Sequence, residues 1–531
     1  MEIRKLLVAN RGEIAVRIFR TCRELGIATV AVAAPDDRGA LHTRVAGETV
    51  QITSYLDAAE HIRAAREAGA DAVHPGYGFL AESPAFAAAV EDAGLTFVGP
   101  SPEALRRGGD KLEAKRVAEE AGVPVVPTGG PDQIGFPLVI KAAAGGGGRG
   151  MRVVRDPRHL DDALEAARRE AEAAFGDGRV FMERYVERPR HVEIQLAAGA
   201  GAAVALGERE CSIQRRHQKV LEESPAVDAG LRGRMSEAAV AFARAIGYRS
   251  LGTAEFMVSG RDFFFLELNG RIQVEHPVTE LVTGLDLVAL QLAIAGGARP
   301  GGAPLEGHAV EVRLYAEDPL TFLPQTGRIE RLRLPDGVRV DAGVAEGDEV
   351  GVAYDPMIAK LIAAGDTRDA ALDQLADALA ETEVCGVTTN LPFLRWLVRH
   401  PAVRAGETTT AFLADYPPLS PYRRALRGPW RGAFRLNLPP PPPHSPPDVA
   451  AAGEHGPGKE SSALTAPMPG TVIKVLTEPG AAVSQREPLV VLEAMKMETP
   501  VVSPYEAVVK AVHVAEGDLV TGGQLLVELE E

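Results

Sequence analysis

The sequence predicts a multidomain chain of α/β and α+β character that closes in an all-β module. Three observations carry that reading. Strand–helix–strand units of parallel-sheet length occupy the N-terminus, helices mix with β hairpins in the middle, and a pattern of short Val/Leu strands occurs twice near the C-terminus. At 531 residues the chain has room for several cores. A hydrophobic content of 46% with 24% charged residues is ordinary for globular protein. The net charge of −16 argues against nucleic acid or an anionic membrane surface as partner. It leaves room for a local basic pocket that takes phosphate.

In chain order, residues 5–10 form a short apolar strand. RGEIAVRIFRTCRELG then repeats apolar residues at helical spacing (Ile14, Ala15, Ile18, Cys22, Leu25) and closes at Gly26. Residues 28–33 are the next buried strand, residues 56–69 a helix, and another strand runs up to HPGYGFL. Residues 1–110 therefore read as a doubly wound α/β domain. Residues 111–299 mix helices with hairpins, and 300–416 form a third unit of strands followed by helices. Residues 417–462 change composition to PPLSP, a basic patch, the run Pro439 to Pro443 and a Gly/Pro/Ser tail. That is a linker, semi-rigid in its proline part and flexible elsewhere, which lets a terminal domain travel. Three scattered cysteines, Cys22, Cys211 and Cys385, read as reduced thiols. The opening apolar run is too short for a signal-peptide core and no stretch approaches a membrane span, so a cytoplasmic protein is expected.

The last domain, residues 463–531, is built on an internal repeat. A gap-free shift of 37 positions superposes Val472 on Val509, Gly480 on Gly517, Val483 on Val520 and Glu493 on Glu530. Two similar half-sheets are implied, forming a flattened barrel or sandwich. Between them lies EAMKMET, with Lys496 at a hairpin tip and offered to solvent.

Two stretches in the middle carry chemistry. IKAAAGGGGRGM puts Lys141 at the end of an apolar strand before four glycines, a loop able to fold its N–H groups around phosphate oxygens. In TAEFMVSGRDFFFLELNGRIQVEHP a turn places Glu255 nearly opposite Glu267. Like charges across a hairpin are destabilising unless a cation sits between them, and Mg²⁺, held by a few protein oxygens together with phosphates, suits the place. Polar residues then recur at period two through Glu267, Asn269, Arg271, Gln273 and Glu275, so one strand face is expected to carry them all.

On these residues the chain resembles biotin-dependent carboxylases. EAMKMET in its repeat is similar to the biotinyl domain, whose central lysine carries biotin. A lipoyl domain shares the repeat, but there the lysine follows Asp, whereas Met495 and Met497 flank Lys496. Residues 1–415 resemble biotin carboxylase with its ATP-grasp domain, through NRGEIAVRI, HPGYGFLAE, GDK, GGGGRGM, MERYVERPRHVEIQ, RRHQK, NGRIQVEHPVTE and AEDP in that family's order.

The resemblance implies that Lys111, Lys141, Gly147 and Gly148 hold the ATP phosphates with His217. Glu183, Arg184, Tyr185 and Val186 would form the adenine edge, and His191 with Gln214 would contact ribose. Glu255, Glu267 and Asn269 would be the magnesium ligands, with Mn²⁺ as a substitute. Lys219, Arg271, Gln273, the backbone of Val274, and Arg339 would contact bicarbonate and biotin, with Glu275 as the base; Tyr77 and Glu82 would line the same pocket. The chain departs from the family's pattern where a helix is missing between Val126 and Gly135, at Ala144 in place of a glycine, and at Gly270 where a threonine is usual.

The implied function is ATP- and bicarbonate-dependent carboxylation of biotin on Lys496. No carboxyltransferase is visible in the roughly 70 residues after the linker, so a separate carboxyltransferase β subunit would carboxylate an acyl-CoA, acetyl-CoA or propionyl-CoA favoured and methylcrotonyl-CoA the alternative. Biotin protein ligase and a second copy of the chain, as a homodimer through the carboxylase region, are the other partners implied. A non-catalytic biotinyl carrier is the rival reading, and intact Lys141, Glu255, Glu267 and Arg271 argue against it.

Overall fold

The computed structural model describes residues 3–143, 151–175, 177–215, 218–319, 321–417, 463–468, 470–494, 497–520 and 522–530. The first domain is a five-stranded parallel sheet of β1 (Lys5–Val8), β2 (Ala28–Ala33), β3 (Glu48–Gln51), β4 (Ala72–His74) and β5 (Thr96–Phe97). Their order, β3-β2-β1-β4-β5, reverses direction between β1 and β4, as a doubly wound sheet requires. The helix Gly12–Glu24 turns Ile14, Ala15, Ile18, Phe19 and Cys22 inward onto Leu6 and Val8, which explains the helical spacing of its apolar residues.

A small three-stranded sheet follows, with β6 (Leu138–Ala142) between β7 (Arg152–Val154) and β8 (Val180–Arg184). Lys141 is the next-to-last residue of β6, paired with Phe181, so it stands at the strand's end as the sequence indicates. The expected missing helix is replaced by one turn, Pro131–Ile134.

The central sheet has eight strands. Its first half comprises β9 (Arg190–Gly199), β10 (Ala202–Arg215), β11 (Gln218–Ser224), β12 (Ser250–Ser259) and β13 (Asp262–Asn269). β14 (His308–Tyr315) pairs with β11, and the strands Met357–Gly365 and Arg339–Ala342 complete the order β13-β12-β9-β10-β11-β14 and onward. The sheet thus continues across residue 300, where sequence alone suggests a break. One side of its far half packs on the helix Arg368–Glu381 to form a core around Val310, Val312, Leu361, Leu372 and Leu375.

One expectation needs correction. The strand carrying Glu267 ends at Asn269, and Gly270–Glu275 is a loop leading into the helix His276–Thr283. The alternation of Arg271, Gln273 and Glu275 is therefore not a strand face. Pro277 at the start of the helix, with Glu275 as its N-cap, turns the chain instead.

The C-terminal domain is two four-stranded sheets around Val472, Leu489, Leu492, Val509, Leu526 and Leu529. Each half of the repeat lends its short strand to the other's sheet. Thr471 pairs with Leu519, and the shifted pair, Val508 with Ala482, is also present. The pseudo-twofold legible in the sequence is therefore kept strand by strand. The strands Pro488–Ala494 and Met497–Val502 pair Ala494 with Met497 on either side of Met495 and Lys496. Lys496 itself lies outside the described residues, as do Gly147, Gly148 and His217.

Candidate functional site

Three adjacent strands bring three carboxylates into one row. Glu255 on β12 stands opposite Glu267 on β13 and, on its other side, opposite Glu193 on β9. Strand pairing in register makes this row, because side chains on one face of neighbouring strands are lateral neighbours. Arg209 on β10 continues it, opposite Glu193, and is fully buried; its Nε donates to Glu193 Oε1 at 2.6 Å.

Lys219 on β11 reaches over the row. Its Nζ lies 2.5 Å from Glu193 Oε2, 3.0 Å from Glu255 Oε1 and 2.6 Å from Glu275 Oε1, and it also donates to Gln273 Oε1 at 3.1 Å. Burial opposes its charge, yet the three carboxylates raise its pKa well above the ordinary lysine value. Glu255 is the hub: Asn269 Nδ2 donates to it at 2.8 Å, Gln273 Nε2 at 3.2 Å, and His191 Nε2 lies 2.8 Å away. Burial pushes its carboxyl up, but Lys219 and His191 hold it well below the usual range. Glu267 goes the other way, pushed up by burial and by the neighbouring charge of Glu255, with Lys111 as the cation that moderates the effect.

Such a split pair fits a divalent cation. Lys219 and His191 favour the ionised form of Glu255, while the like charge of Glu255 opposes ionisation of Glu267, a repulsion that a cation between them would cancel. His191, Glu193 and Glu255 also bring ligand atoms within 4.8 Å of one another.

Glu275 receives two cations besides Lys219. Arg313 Nη2 donates to its Oε2 at 2.9 Å and Arg209 lies close; against the cost of burial these hold its carboxyl far below the usual range. Arg271, on the corrected loop, donates through Nε to Glu82 Oε2 at 2.9 Å and through Nη2 to Asn269 Oδ1 at 3.0 Å. Glu82 also accepts the Gly270 N–H at 2.9 Å, which ties this loop to the N-terminal domain. A Cβ on Gly270 would meet Leu105 Cδ2 at 2.7 Å, so Leu105 occupies the space of the usual threonine. Val274 gives its carbonyl to Lys360 at 2.8 Å. Arg339 donates to Glu280 Oε2 and Asp341 Oδ2, each at 2.7 Å. Tyr77 donates to Glu13 Oε2 at 2.6 Å.

The residues expected at the nucleotide lie on β8 and β6. Glu183 takes Lys141 at 2.6 Å on one oxygen and Lys115 at 2.5 Å on the other; burial pushes its carboxyl up, and these lysines bring it below the usual value. Arg184, Tyr185 and Val186 follow at the end of β8, with the Arg184 guanidinium over the Phe264 ring. Gln214 Nε2 meets His191 Nδ1 at 2.7 Å, bringing together the two residues expected at the ribose. Lys111 is the first residue of the helix Lys111–Glu120, whose N-cap is Asp110.

Sequence reasoning missed Glu193, Arg209, Lys115 and Arg313. The first two had a signal: Glu193 stands between the apolar residues Val192 and Ile194, and Arg209 stands between two acids, Glu208 and Glu210, in a strand that begins with apolar residues. Lys115 sits one helical turn after Lys111, on the same face.

Comparisons with known proteins agree along the chain. Residues 2–105 match the family described as biotin carboxylase, N-terminal domain, 86–300 the carbamoyl-phosphate synthase L chain, ATP binding domain, 311–415 the biotin carboxylase C-terminal domain, and 462–529 the biotin-requiring enzyme family. The chain is 47% identical to a biotin carboxylase of Halalkalibacterium halodurans, covering 78% of this chain and 98% of the relative. It is 45% identical to the propionyl-CoA carboxylase alpha chain of Ruegeria pomeroyi, covering 78% and 68%. It spans 62% of the methylcrotonoyl-CoA carboxylase subunit alpha of Oryza sativa, at 47% identity and 80% of this chain. Among solved structures, the biotin carboxylase of Campylobacter jejuni superposes with a TM-score of 0.76 at 40% identity, covering 78% of this chain and 99% of that one. The biotin carboxylase domain of Hydrogenobacter thermophilus 2-oxoglutarate carboxylase, solved with MgADP and bicarbonate, gives 0.76 at 41%, covering 78% and 98%. The chain belongs to the biotin carboxylase family and is an ATP-dependent ligase joined to its own biotin carrier domain.

Proposed function

We propose that the cleft over the Glu193–Glu255–Glu267 row is where bicarbonate is activated and passed to biotin, with Glu275 as the proton acceptor. What carries this reading is the convergence of Lys219, Arg313 and Arg209 on one carboxylate, that of Glu275, beside Arg271, whose Nε, Nη1 and Nη2 each donate to a protein oxygen and leave one N–H on each Nη for an anion. These cations favour the ionised form of Glu275, which leaves it able to accept a proton. Its low basicity means that the acceptor role needs the developing negative charge of the attacking bicarbonate to be met elsewhere, by Arg271 and Lys219.

A divalent cation held by Glu255, Glu267 and Asn269 would supply Lewis-acid charge against the triphosphate. Lys141 and Lys111 hold phosphate oxygens, with Gly147, Gly148 and His217 joining them; Glu183 to Val186 orient the adenine, and His191 with Gln214 the ribose. Both Glu183 oxygens are paired with lysines, and Lys115 together with Lys141 favours the anionic form of that carboxylate and aims it. Arg339, Gln273 and the Val274 N–H serve the biotin end, where Arg339 meets the negative oxygen of the ionised ureido group.

The acceptor is an acyl-CoA held by a separate carboxyltransferase subunit. Relatives named for propionyl-CoA and methylcrotonoyl-CoA support that class, and acetyl-CoA or propionyl-CoA is favoured. Biotin protein ligase loads Lys496, the catalytic region pairs as a homodimer, and the cytoplasm is its compartment. The test is bicarbonate-dependent ATP hydrolysis with and without free biotin. Glu275→Gln and Arg271→Met should each abolish the bicarbonate-dependent rate while leaving nucleotide binding near the parent value. Parent-like turnover in Glu275→Gln would remove the proton-acceptor role, and a panel of acyl-CoAs tested on the complex identifies the acceptor.

A further inference from the structure

Behind Glu275 the central sheet carries two carboxylates that the chemistry above does not use. Glu222 on β11 stands directly opposite Glu311 on β14, and both are fully buried. No side-chain oxygen of either accepts a hydrogen bond of good geometry. Arg313 Nη2 comes within 2.5 Å of Glu222 Oε1, and the same nitrogen donates to Glu275 Oε2 at 2.9 Å.

The other charges packed around the pair are already committed. Lys360, opposite Arg313 on the strand Met357–Gly365, lies 2.8 Å from Glu13 Oε1 and donates to the Val274 carbonyl at 2.8 Å. Lys219 serves Glu193, Glu255 and Glu275. His276, from the helix packed on this side of the sheet, is kept neutral by burial and by Lys360, Arg17 and Arg339.

Two facing carboxylates in a dry interior do not both ionise, and a buried carboxylate without a donor is costly. A proton on one supplies the missing donor to the other, so the geometry resolves both problems at once. Arg313 touches Glu222, which places the negative charge there and the proton on Glu311. The titration tendencies agree: burial pushes Glu222 up to about 7 against the pull of Arg313, and burial pushes Glu311 well above the usual range.

We propose that Glu222 and Glu311 share one proton, donated by Glu311 to Glu222, and that the pair is a positioning device that divides the Arg313 guanidinium between Glu222 and Glu275. This rests on the reading of Glu275 as the proton acceptor. While Glu222 is anionic it competes for Arg313 and leaves Glu275 more basic; once Glu222 is neutral, Arg313 turns wholly to Glu275 and weakens it as a base.

Two measurements on the full chain test this. Infrared spectra in H₂O and D₂O at about pH 8, where an ordinary glutamate is fully ionised, should show the carbonyl band of a buried protonated carboxyl. The band should vanish in Glu311→Gln, which replaces the acid with an amide that donates in its place, and persist in Glu275→Gln. No such band in the parent, or an unchanged one in Glu311→Gln, overturns the shared proton. In the second measurement, Glu222→Gln should move the acid limb of the bicarbonate-dependent ATPase profile to lower pH and lower its plateau about tenfold, with KM for ATP unchanged. A merely structural role would leave the limb in place, and that result overturns the positioning role. If Glu275→Gln instead turns over at the parent rate with the infrared band present, the acceptor assignment fails and the positioning role with it, while the shared proton stands.

Discussion

Glu193 and Glu255 face each other across adjacent strands, and a single lysine, Lys219, reaches both, at 2.5 Å and 3.0 Å. Two buried carboxylates in lateral contact are tolerable only because Lys219 lies over them and Arg209 closes the row at its far end. The site is therefore an array of compensated charge in which each member is held by its neighbours.

Removing the compensating lysine should be costly in stability as well as activity. Lys219→Met leaves Glu193, Glu255 and Glu275 short of a cation and should destabilise the chain by about 3 to 5 kcal/mol, the scale for stripping one partner from a buried ionic cluster. Urea denaturation read by tryptophan fluorescence checks this, and an unchanged midpoint would mean that the cluster is not held as described.

The opposed acids predict metal dependence. Glu267→Gln removes the carboxylate whose ionisation Glu255 opposes, and should cost about 10²-fold or more in turnover, as expected when an electrostatic stabiliser of the transition state is lost. Rates measured across a Mg²⁺ titration decide it; a near-normal rate at limiting Mg²⁺ contradicts the ligand role.

Lys496 should be the sole site of biotin attachment. Co-expression with a biotin ligase and intact mass should show one added biotin, lost in Lys496→Arg. Label retained in that variant would refute the assignment.

A pH effect on stability is expected away from the site. Glu223 accepts Arg368 at 2.6 Å and 3.0 Å and pairs with His308 at 2.9 Å; against burial, which raises it, these partners hold its carboxyl below the usual value. A depressed carboxyl contributes stability that is fully present above the unfolded glutamate pKa of about 4.3 and is lost as pH falls through the folded value. Arg368→Met should therefore cost about 2 to 3 kcal/mol at neutral pH, with the gap to the parent narrowing below about pH 4. Paired denaturation curves across that range check the sign; a gap that widened on acidification would reverse the account.

Local pattern determined much of this protein without any structure. Helical spacing in Ile14, Ile18 and Cys22 marks the face that packs on Leu6 and Val8. The 37-residue shift announces a pseudo-twofold that the strand pairs Thr471–Leu519 and Val508–Ala482 then realise. That Glu255 and Glu267 lie nearly opposite was legible because a two-residue turn sets hairpin register, but a β-bulge between Glu255 and Phe256 shifts that register by one residue and brings the two carboxylates directly opposite. In each case the partners are joined by a short stretch of chain or by an internal copy, so spacing brings them within a residue of their observed register.

Tertiary structure decided what spacing could not reach. Nothing local says that β9 lies beside β12, so Glu193 entered the acid row only when two strands more than 50 residues apart in sequence came into register. Arg271, Gln273 and Glu275 keep a strand-like alternation, yet the chain leaves the sheet at Asn269, since the helix start at His276 and the Glu82 contact from another domain hold the loop instead. The sheet likewise runs past residue 300 because β11 finds β14, a pairing set by burial of the apolar face of both strands. Sequence by itself offered candidate residues and determined which segments repeat; the fold decided which charges meet, because charge compensation in a buried site depends on distances between strands that the order of residues along the chain does not contain.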